Sequence, residues 1–253
     1  MEISSEDLYI KNKYSQKNIE SFYKMLNKVG KGTFGTVYKA FELSTGRIVA
    51  VKKIKLHKNQ NKNSILKEIE LLKNIDHPNI VKYYNYIEEE NENIYYIIME
   101  YLDGGTLENY LIENKNNIDE NESRIIIKQL LEALNYLHYK CDICHRDIKP
   151  ENILFSKNNQ NIPLIKLVDF GLSSDFFESK NILENCGTLI YMAPEQISRK
   201  IYSKAVDVWS VGVILYMLLN KGKHPFYLLG QNKNQIIENI NKKELEFNDM
   251  IIQ

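Results

Sequence analysis

Residues 143–155 carry the sequence ICHRDIKPENILF, which decides how the rest of the chain is interpreted. Apolar residues flank this stretch on both sides, yet polar and charged side chains crowd its centre: His145, Arg146, Asp147, Lys149, Glu151 and Asn152. So many polar groups are costly to bury unless they pair with one another or take part in a reaction. The stretch therefore indicates a functional site in which an aspartate, a lysine and an asparagine act together.

The composition limits the class of protein. The chain has 253 residues, of which 43% are hydrophobic, enough for a large core in one domain or in two lobes that share a cleft. Basic and acidic residues balance at 33 each, which argues against a nucleic-acid partner or a charged membrane surface. The apolar run at 208–219 is shorter than the roughly 20 residues that cross a bilayer. These features indicate a soluble globular protein of the cytoplasm with no membrane partner.

The three cysteines leave several interpretations open. Cys141 and Cys144 lie in the sequence CDICH, which matches the C-x-x-C-H attachment pattern of c-type haem. Zinc or redox use of the same pair is a second alternative, although no second ligand pair is visible. The simplest interpretation is that these two thiols and Cys186 stay reduced in a cytosolic protein.

The pattern along the chain predicts strands first and helices afterwards. Strands are expected at 25–42 and 46–54, joined by a turn at 44–46, followed by a helix at 63–74 capped by Asn63 or Ser64 and a buried strand at 94–102. The later segments are expected to form a helix at 122–140, short strands at 152–155 and 164–170, and an apolar helix at 203–220. This order predicts an α+β fold of two lobes with a boundary near 102–106.

Two further segments suggest phosphate chemistry. Gly30, Gly32 and Gly35 have G-x-G-x-x-G spacing, and the pattern after them is a strand, so we expect a glycine-rich hairpin whose amides approach phosphates. Lys52 on the third strand would supply a cation, with Glu68 on the next helix holding it, although a lone lysine is more often a solvated surface residue. The oxygens of Asn152 and Asp169 suit Mg²⁺, which leaves Asp147 as the base for a hydroxyl proton.

The ordered set of motifs resembles the eukaryotic protein kinase family. HRDIKPEN is followed by DFG, APE and DVWSVG, all after the glycine-rich segment and Lys52. The resemblance implies a two-lobed protein kinase fold, with a strand-rich N-lobe at about 23–102 and a larger helical C-lobe at about 103–253, after an N-terminal extension at 1–22. The family's last helices, which carry an arginine partner for Glu195, are expected to be missing, so the domain would be truncated.

The resemblance also implies an activity. The chain would transfer the γ-phosphate of ATP to Ser or Thr hydroxyls of protein substrates, because Asp147 is followed by IKPEN rather than the LAARN type of tyrosine kinases. ALNYLH and CGTLIYMAPEQI are similar to segments of the calcium/calmodulin-dependent and calcium-dependent kinase group. No D-x-D-x-D-G loop occurs, so we expect no intrinsic calcium site, and we expect a monomer.

Roles follow position by position from the resemblance. Asp147 would be the catalytic base, Lys149 would steady the γ-phosphate and Thr188 would help to seat the acceptor. Lys52 would contact the α- and β-phosphates and pair with Glu68, while Asn152 and Asp169 would bind Mg²⁺. Met99 would be the gatekeeper and 100–102 the hinge. The nucleotide-binding residues would be Gly30, Lys31, Gly32, Thr33, Phe34, Gly35, Val37, Ala50, Lys52, Met99, Glu100, Leu102 and Leu154.

Two departures from the family bear on specificity and on activity. The group often has GGELF after the hinge, where this chain has GGTLE, so a preference for arginine at the corresponding substrate position is not expected from Thr106. Glu184 stands where many relatives carry a phosphothreonine that binds the arginine before the catalytic aspartate, and we expect it to replace that phosphate. A catalytically impaired kinase fold that acts as a scaffold is the alternative from another class.

Overall fold

The computed structural model describes residues 18–32, 35–56, 62–114, 118–157, 163–175, 187–198 and 201–245. The chain divides into two compact units. The first contains residues up to Asp76 together with Val81–Tyr101, and the second contains His77–Ile80 together with the residues from Leu102 onward. The first unit is rich in strands and the second in helices, which confirms the predicted α+β class.

The first unit is built on one antiparallel sheet of five strands. Its spatial order is β1-β2-β3-β5-β4, so the last two strands along the chain exchange places. Helix α1 lies between β3 and β4 in the sequence. The elements are β1 (Tyr23–Gly32), β2 (Gly35–Glu42), β3 (Ile48–Lys55), α1 (Lys62–Lys73), β4 (Tyr83–Glu89) and β5 (Ile94–Glu100), with 3₁₀ turns at Ile19–Ser21 and Glu90–Glu92.

The predicted strands of this unit are confirmed with one addition. The turn at 44–46 joins β2 to β3, and Gly46 has φ +73°, a left-handed conformation that glycine adopts without strain. The Glu42 carbonyl accepts the Gly46 amide at 2.9 Å and closes the turn. Strand β4, with its sequence YYNYIEE, was not predicted.

The two faces of the sheet have different coverings. Ile65, Ile69 and Leu72 of α1 are buried, as the helical spacing predicts. Because Glu68 of α1 reaches Lys52 of β3, the helix lies on the face that carries Lys52. The opposite face has its own hydrophobic cluster, whose members include Ile19, Tyr23, Ala40, Val49, Val51, Ile87, Ile94, Tyr96 and Ile98.

The second unit is mostly helical. Its helices are α2 (Leu107–Glu113), α3 (Glu120–Asn135), α4 (Pro194–Ile197), α5 (Ala205–Leu219) and α6 (Lys233–Lys242). A π-helical turn, Tyr136–Lys140, prolongs α3, so the predicted helix at 122–140 is confirmed. Two small sheets complete the unit, namely β6 (Ile143–Cys144) with β9 (Ser174–Asp175), and β7 (Ile153–Ser156) with β8 (Leu164–Leu167).

Helix α5 is the apolar element of this unit. It fills most of the predicted range 203–220 and buries one broad side, which includes Val206, Ile214 and Leu218, whereas Val208 on the opposite side is 51% exposed. One buried residue near its start, Asp207, is charged and only 1% exposed. Among the helices of the described residues, each is too short or too polar to cross a membrane.

Candidate active site

The loop between β6 and β7 contains the polar residues of the HRDIKPEN stretch, 145–152. Pro150 begins the 3₁₀ turn Pro150–Asn152, where its missing amide hydrogen is not needed. The Asn152 amide donates to the Lys149 carbonyl at 2.9 Å and closes that turn. The loop buries Asp147, which is 9% exposed, and Asn152, which is 6% exposed. Their burial is matched by hydrogen bonds, as polar groups in a protein interior require.

The carboxylate of Asp147 is the centre of this unit's polar cluster. Its Oδ1 accepts the Thr188 amide at 3.2 Å and the Thr188 hydroxyl at 3.1 Å. Its Oδ2 lies 2.7 Å from Lys149 Nζ and accepts Asn152 Nδ2 at 3.1 Å. Lys149 Nζ also donates to the Thr188 hydroxyl oxygen at 2.9 Å. The structure thus brings together three side chains with expected roles towards the acceptor and the γ-phosphate, namely Asp147, Lys149 and Thr188, and the proposed magnesium ligand Asn152.

Gly187 explains why Thr188 can approach the loop so closely. Its φ is +105°, and a Cβ at this position would lie 2.6 Å from the Arg146 carbonyl oxygen. A side chain there would therefore be strained by the backbone conformation and would collide with the loop. The glycine before Thr188 allows the two segments to touch.

His145 links the loop to the segment that follows β8. Its Nδ1 accepts the Asp147 amide at 3.3 Å, so the proton sits on Nε2, which donates to the Val168 carbonyl at 3.2 Å. The ring meets Phe170 edge-on, with centroids 5.0 Å apart. Complete burial lowers the pKa of His145, which keeps the imidazole in the neutral form that this pattern needs.

Asp207 supports the loop from α5, and its role was not predicted from the sequence. Its Oδ1 accepts the Arg146 amide at 2.8 Å, and its Oδ2 accepts the His145 amide at 2.9 Å. His138 Nε2 lies 2.8 Å from the same Oδ2. Burial opposes ionisation of Asp207, but these hydrogen bonds, first of all the one with His138, outweigh it and lower its pKa. A charged residue at the start of a highly apolar helix is the signal that could have identified it.

Asn152 and Asp169 are held next to each other through the backbone. The Val168 amide donates to the Asn152 carbonyl at 2.9 Å, which fixes the residue before Asp169 beside the 3₁₀ turn. Asn152 Nδ2 also donates to the Asp147 carbonyl at 2.8 Å, so its amide oxygen is the atom left for a metal. Within the described part of the chain, no three His, Cys, Asp or Glu side chains converge as a metal site. An ion here would thus depend on oxygens from a ligand as well.

In the first unit, Lys52 and Glu68 form the predicted pair. Lys52 Nζ lies 2.6 Å from Glu68 Oε1, and the two side chains are each 6% exposed. Lys52 is therefore not a solvated surface lysine. A buried ion pair of this kind holds its partners in a fixed arrangement, because losing one of them leaves an uncompensated charge.

The glycine-rich segment forms the predicted hairpin between β1 and β2. Gly30 lies opposite Val37 and Gly32 opposite Gly35 in the strand register. A Cβ on Gly35 would lie 2.4 Å from the Lys53 carbonyl oxygen, so only glycine allows β2 to approach β3 there. Lys31 is exposed on the hairpin, whereas Thr33 and Phe34 lie outside the described residues.

Register places three proposed nucleotide-binding residues of the first unit, Val37, Ala50 and Met99, on the face that carries Lys52. Val37 lies opposite Lys52, and Met99 lies opposite Ala50. Since alternate residues of a strand share a face, Ala50 and Lys52 point the same way. Glu100 ends β5, where its amide donates to the Lys82 carbonyl at 2.9 Å and its carboxylate accepts the Lys82 amide at 2.6 Å.

The other two proposed nucleotide residues belong to the second unit. Leu102 is its first residue after the strands, and it is half-buried. Leu154 lies on β7 and forms an isolated bridge with Thr106. Gly104 makes that approach possible, because a Cβ there would lie 2.6 Å from Phe155. Whether these side chains contact a nucleotide stays a prediction.

The structure argues against covalent haem at CDICH. Cys144 is fully buried in β6, and Cys141 is partly exposed, with burial raising its pKa. Both ring nitrogens of His145 are already hydrogen-bonded within the protein, so the ring is not free to ligate iron. Cys186 lies outside the described residues.

Comparison with known proteins gives a consistent result. Residues 23–251 match the family described as the protein kinase domain. Calcium-dependent protein kinase 4 of Plasmodium berghei is 40% identical over 228 residues, and calcium-dependent protein kinase 5 of Plasmodium falciparum is 40% identical over 220 residues. A Dictyostelium discoideum protein described as a probable myosin light chain kinase is 37% identical over 234 residues.

The coverage of these matches is unequal. They include 89%, 87% and 91% of this chain but only 42%, 37% and 47% of the three relatives. The chain therefore spans less than half the length of the relatives that it matches. The resemblance to the calcium-dependent kinase group is confirmed at the level of the domain.

Proposed function

This chain belongs to the protein kinase family, and from that premise we propose that it transfers the γ-phosphate of ATP to Ser and Thr hydroxyls of proteins. In the reaction, the acceptor oxygen bonds to the γ-phosphorus while the bond to the β,γ-bridging oxygen breaks. ADP leaves, and the hydroxyl proton passes to a carboxylate. A cytoplasmic location is part of the proposal, since ATP is abundant there and thiols stay reduced.

The environment of Asp147 is the observation that carries this proposal. One aliphatic hydroxyl, that of Thr188, is bonded both to Asp147 Oδ1 and to Lys149 Nζ. A substrate hydroxyl bonded in the same way would have its proton directed at a carboxylate and its oxygen beside a cation. Asp147 is then the base that orients the acceptor, and Lys149 stabilises the phosphoryl group as it transfers.

The residues of the first unit would bind the rest of the nucleotide. Lys52, held by Glu68, supplies a fixed positive charge for the α- and β-phosphates, and a backbone hairpin with three glycines can approach phosphates without side-chain collisions. Val37 and Ala50, proposed to contact the adenine ring, and Met99, the proposed gatekeeper, share the face of Lys52, which supports their assignment. The hinge residues Glu100 and Leu102 and the ring contact Leu154 are proposed from the resemblance alone.

Asn152 and Asp169 are proposed to hold Mg²⁺. An amide oxygen and a carboxylate are the hard oxygen donors that this ion prefers, and it usually takes its other ligands from water and phosphates, so the residues fit. When bound, Mg²⁺ neutralises charge on the phosphates. Asn152 has a second task, since its Nδ2 fixes both the carbonyl and the carboxylate of Asp147.

The proposal is tested with purified protein, labelled ATP, Mg²⁺ and mixed Ser, Thr and Tyr peptides. Transfer to Ser and Thr is expected, and Asp147→Asn should lower kcat by roughly 10² to 10⁴ with ATP affinity nearly unchanged. A matched control is Asp119→Asn, the same change on an exposed aspartate with no side-chain cap bond. Nucleotide binding without transfer by the parent would support the scaffold instead, and an unaffected Asp147→Asn would refute its assignment.

A further inference from the structure

A short segment before β1 is built into the first unit. We call residues 18–22 the strap, and they lie outside residues 23–251, which match the family. Ile19 of the strap is only 4% exposed, whereas its neighbours Glu20 and Ser21 are exposed. Phe22, at the end of the strap, is partly buried and packs against the same hydrophobic cluster as Ile19. Ile19 is therefore the most deeply buried side chain of the strap.

Hydrogen bonds fix the strap at both ends. The Ile19 amide donates to Glu89 Oε1 at 2.8 Å, and Glu89 Oε2 accepts the Tyr96 hydroxyl at 3.2 Å. Asn18 caps the 3₁₀ turn by accepting the Glu20 amide at 3.0 Å. At the other end the Phe22 carbonyl accepts the Leu43 amide at 2.9 Å. These bonds span β4, β5 and the end of β2.

Ile19 fills the face of the sheet opposite α1. It shares one hydrophobic cluster with Val49 and Val51 of β3. Strand residues alternate between faces, so Ala50 and Lys52 of the same strand point to the other side. Strand β3 thus contributes alternate residues to the cluster that contains Ile19 and to the face proposed to contact ATP.

We propose that Ile19 is a positioning residue for Lys52, and that the strap is a working part of the nucleotide site. The inference rests on the proposed function, since it concerns how tightly that site holds ATP. Protein cores are close-packed and transmit strain, so a gap in the cluster that Ile19 shares with Val49 and Val51 lets β3 shift. Lys52 moves with its strand, and its 2.6 Å contact with Glu68 on the far face is then no longer fixed.

The test uses the full chain with three substitutions. Ile19→Ala should raise the ATP Kd and the ATP KM by about threefold to tenfold, because small displacements of a charged group weaken a preorganised site. The peptide KM should stay unchanged. Ile19→Val should shift the ATP Kd in the same direction but less, and Glu20→Ala, one position along on the exposed side, should match the parent.

Two further measurements separate positioning from simple stability. The rate at which an acyl-phosphate derivative of ATP labels Lys52 should change in Ile19→Ala at a temperature where the variant is folded. The melting temperature of Ile19→Ala will fall as well, by roughly 5–15 °C, as expected for a truncated core residue. A lower melting temperature with the parent's ATP Kd and the parent's labelling rate would overturn the inference.

The outcomes also keep the inference apart from the proposed function. If Ile19→Ala does not fold, Glu89→Ala, which removes the acceptor of the Ile19 amide, takes its place. Unchanged ATP affinity in folded Glu89→Ala would then overturn the inference. A parent that binds ATP without transferring phosphate, and loses affinity on these substitutions, would contradict the proposed function while upholding the role of the strap.

Discussion

Replacing Asp207 by Asn should destabilise the protein and lower its kcat together. The change keeps the shape of the side chain but leaves one acceptor oxygen where two now serve three donors. In the best orientation, the new side-chain oxygen still accepts the hydrogen bonds from the His145 backbone amide and from His138. The new NH₂ then faces the Arg146 amide, donor against donor, and that buried amide is left without an acceptor.

The cost follows from these contacts. One lost hydrogen bond to a charged acceptor is worth about 1.5–3 kcal/mol, and the two remaining bonds weaken because they become neutral. A total of about 3–5 kcal/mol is expected, which corresponds to a fall in melting temperature of roughly 6–20 °C. Because Arg146 directly precedes Asp147, the proposed base loses part of its positioning, and kcat is expected to fall too.

The pH dependence provides an independent check. The folded state lowers the pKa of Asp207, so the carboxylate stabilises the fold above the ordinary pKa of about 3.9 and loses that effect as the pH falls through the lowered value. The difference in unfolding free energy between parent and Asp207→Asn should therefore be constant from about pH 5 to 8 and shrink in stronger acid.

Urea unfolding and thermal melts at several pH values measure this difference, with Asp119→Asn as the matched exposed change. A variant that melts within about 2 °C of the parent at pH 7 would refute the reasoning, since losing even one hydrogen bond to a charged acceptor should lower the melting temperature by more than that. Normal kcat in a strongly destabilised variant would show that Asp207 supports the fold but not the position of Asp147.

The remaining predictions concern other parts of the molecule. Lys52→Met should abolish transfer and leave a cooperative melt, because a neutral side chain cannot stabilise phosphates; a variant that is unfolded would make Lys52 structural. Gly187→Ala should lower both kcat and melting temperature, since its Cβ would lie 2.6 Å from a carbonyl oxygen, and unchanged kcat would speak against that contact. Glu184 lies outside the described residues; if its carboxylate replaces an activation-loop phosphate, phosphatase-treated parent should keep most of its activity. Glu184→Ala should lose much of that activity while still binding ATP. Loss of the parent's activity on phosphatase treatment would contradict this. Burial lowers the pKa of His224 to about 4, so unfolding free energy should decline as the pH falls from about 6.5 towards 4, less so in His224→Asn.

Residues that are close in sequence and chemically distinctive were predictable. The polar stretch around Asp147 stands out because its burial needs an explanation. Lys52 could be paired with Glu68 because the strand pattern that contains Lys52 is soon followed by the helical pattern that contains Glu68. The two residues are separated by 16 positions and meet at 2.6 Å. Their meeting is local enough for pattern and spacing to anticipate it.

The supports of the site were not predictable in the same way. Asp207 lies 61 residues from Arg146, and nothing in the local pattern of α5 says which backbone amides its carboxylate accepts. Gly187 is required by a contact with the Arg146 carbonyl, 41 positions earlier, which no turn signal reports. The need for such residues arises from contacts in the folded structure. A sequence pattern shows at most that a residue is unusual at its position, as a charged residue is in an apolar helix.

Backbone conformation adds a constraint that the motifs do not express. Arg146 and Asp169 have φ values of +67° and +62°, a left-handed conformation that costs a residue with a side chain roughly 1–2 kcal/mol. Each is preceded by a peptide group that a buried side chain holds. Asp207 accepts the Arg146 amide, and His145 Nε2 donates to the carbonyl just before Asp169.

These two restraints are joined, because Asp207 also accepts the amide of His145. A continuous series of buried bonds therefore runs from α5 through His145 to the peptide before the proposed metal ligand Asp169. His145 has both ring nitrogens engaged in this series, and its one ring proton is donated to the Val168 carbonyl, so neither nitrogen is free to exchange a proton with a substrate. The histidine of HRD must therefore act by fixing the backbone at Asp147 and Asp169. Replacing it should change the geometry of the proposed base and of the proposed metal ligand rather than remove a reacting group.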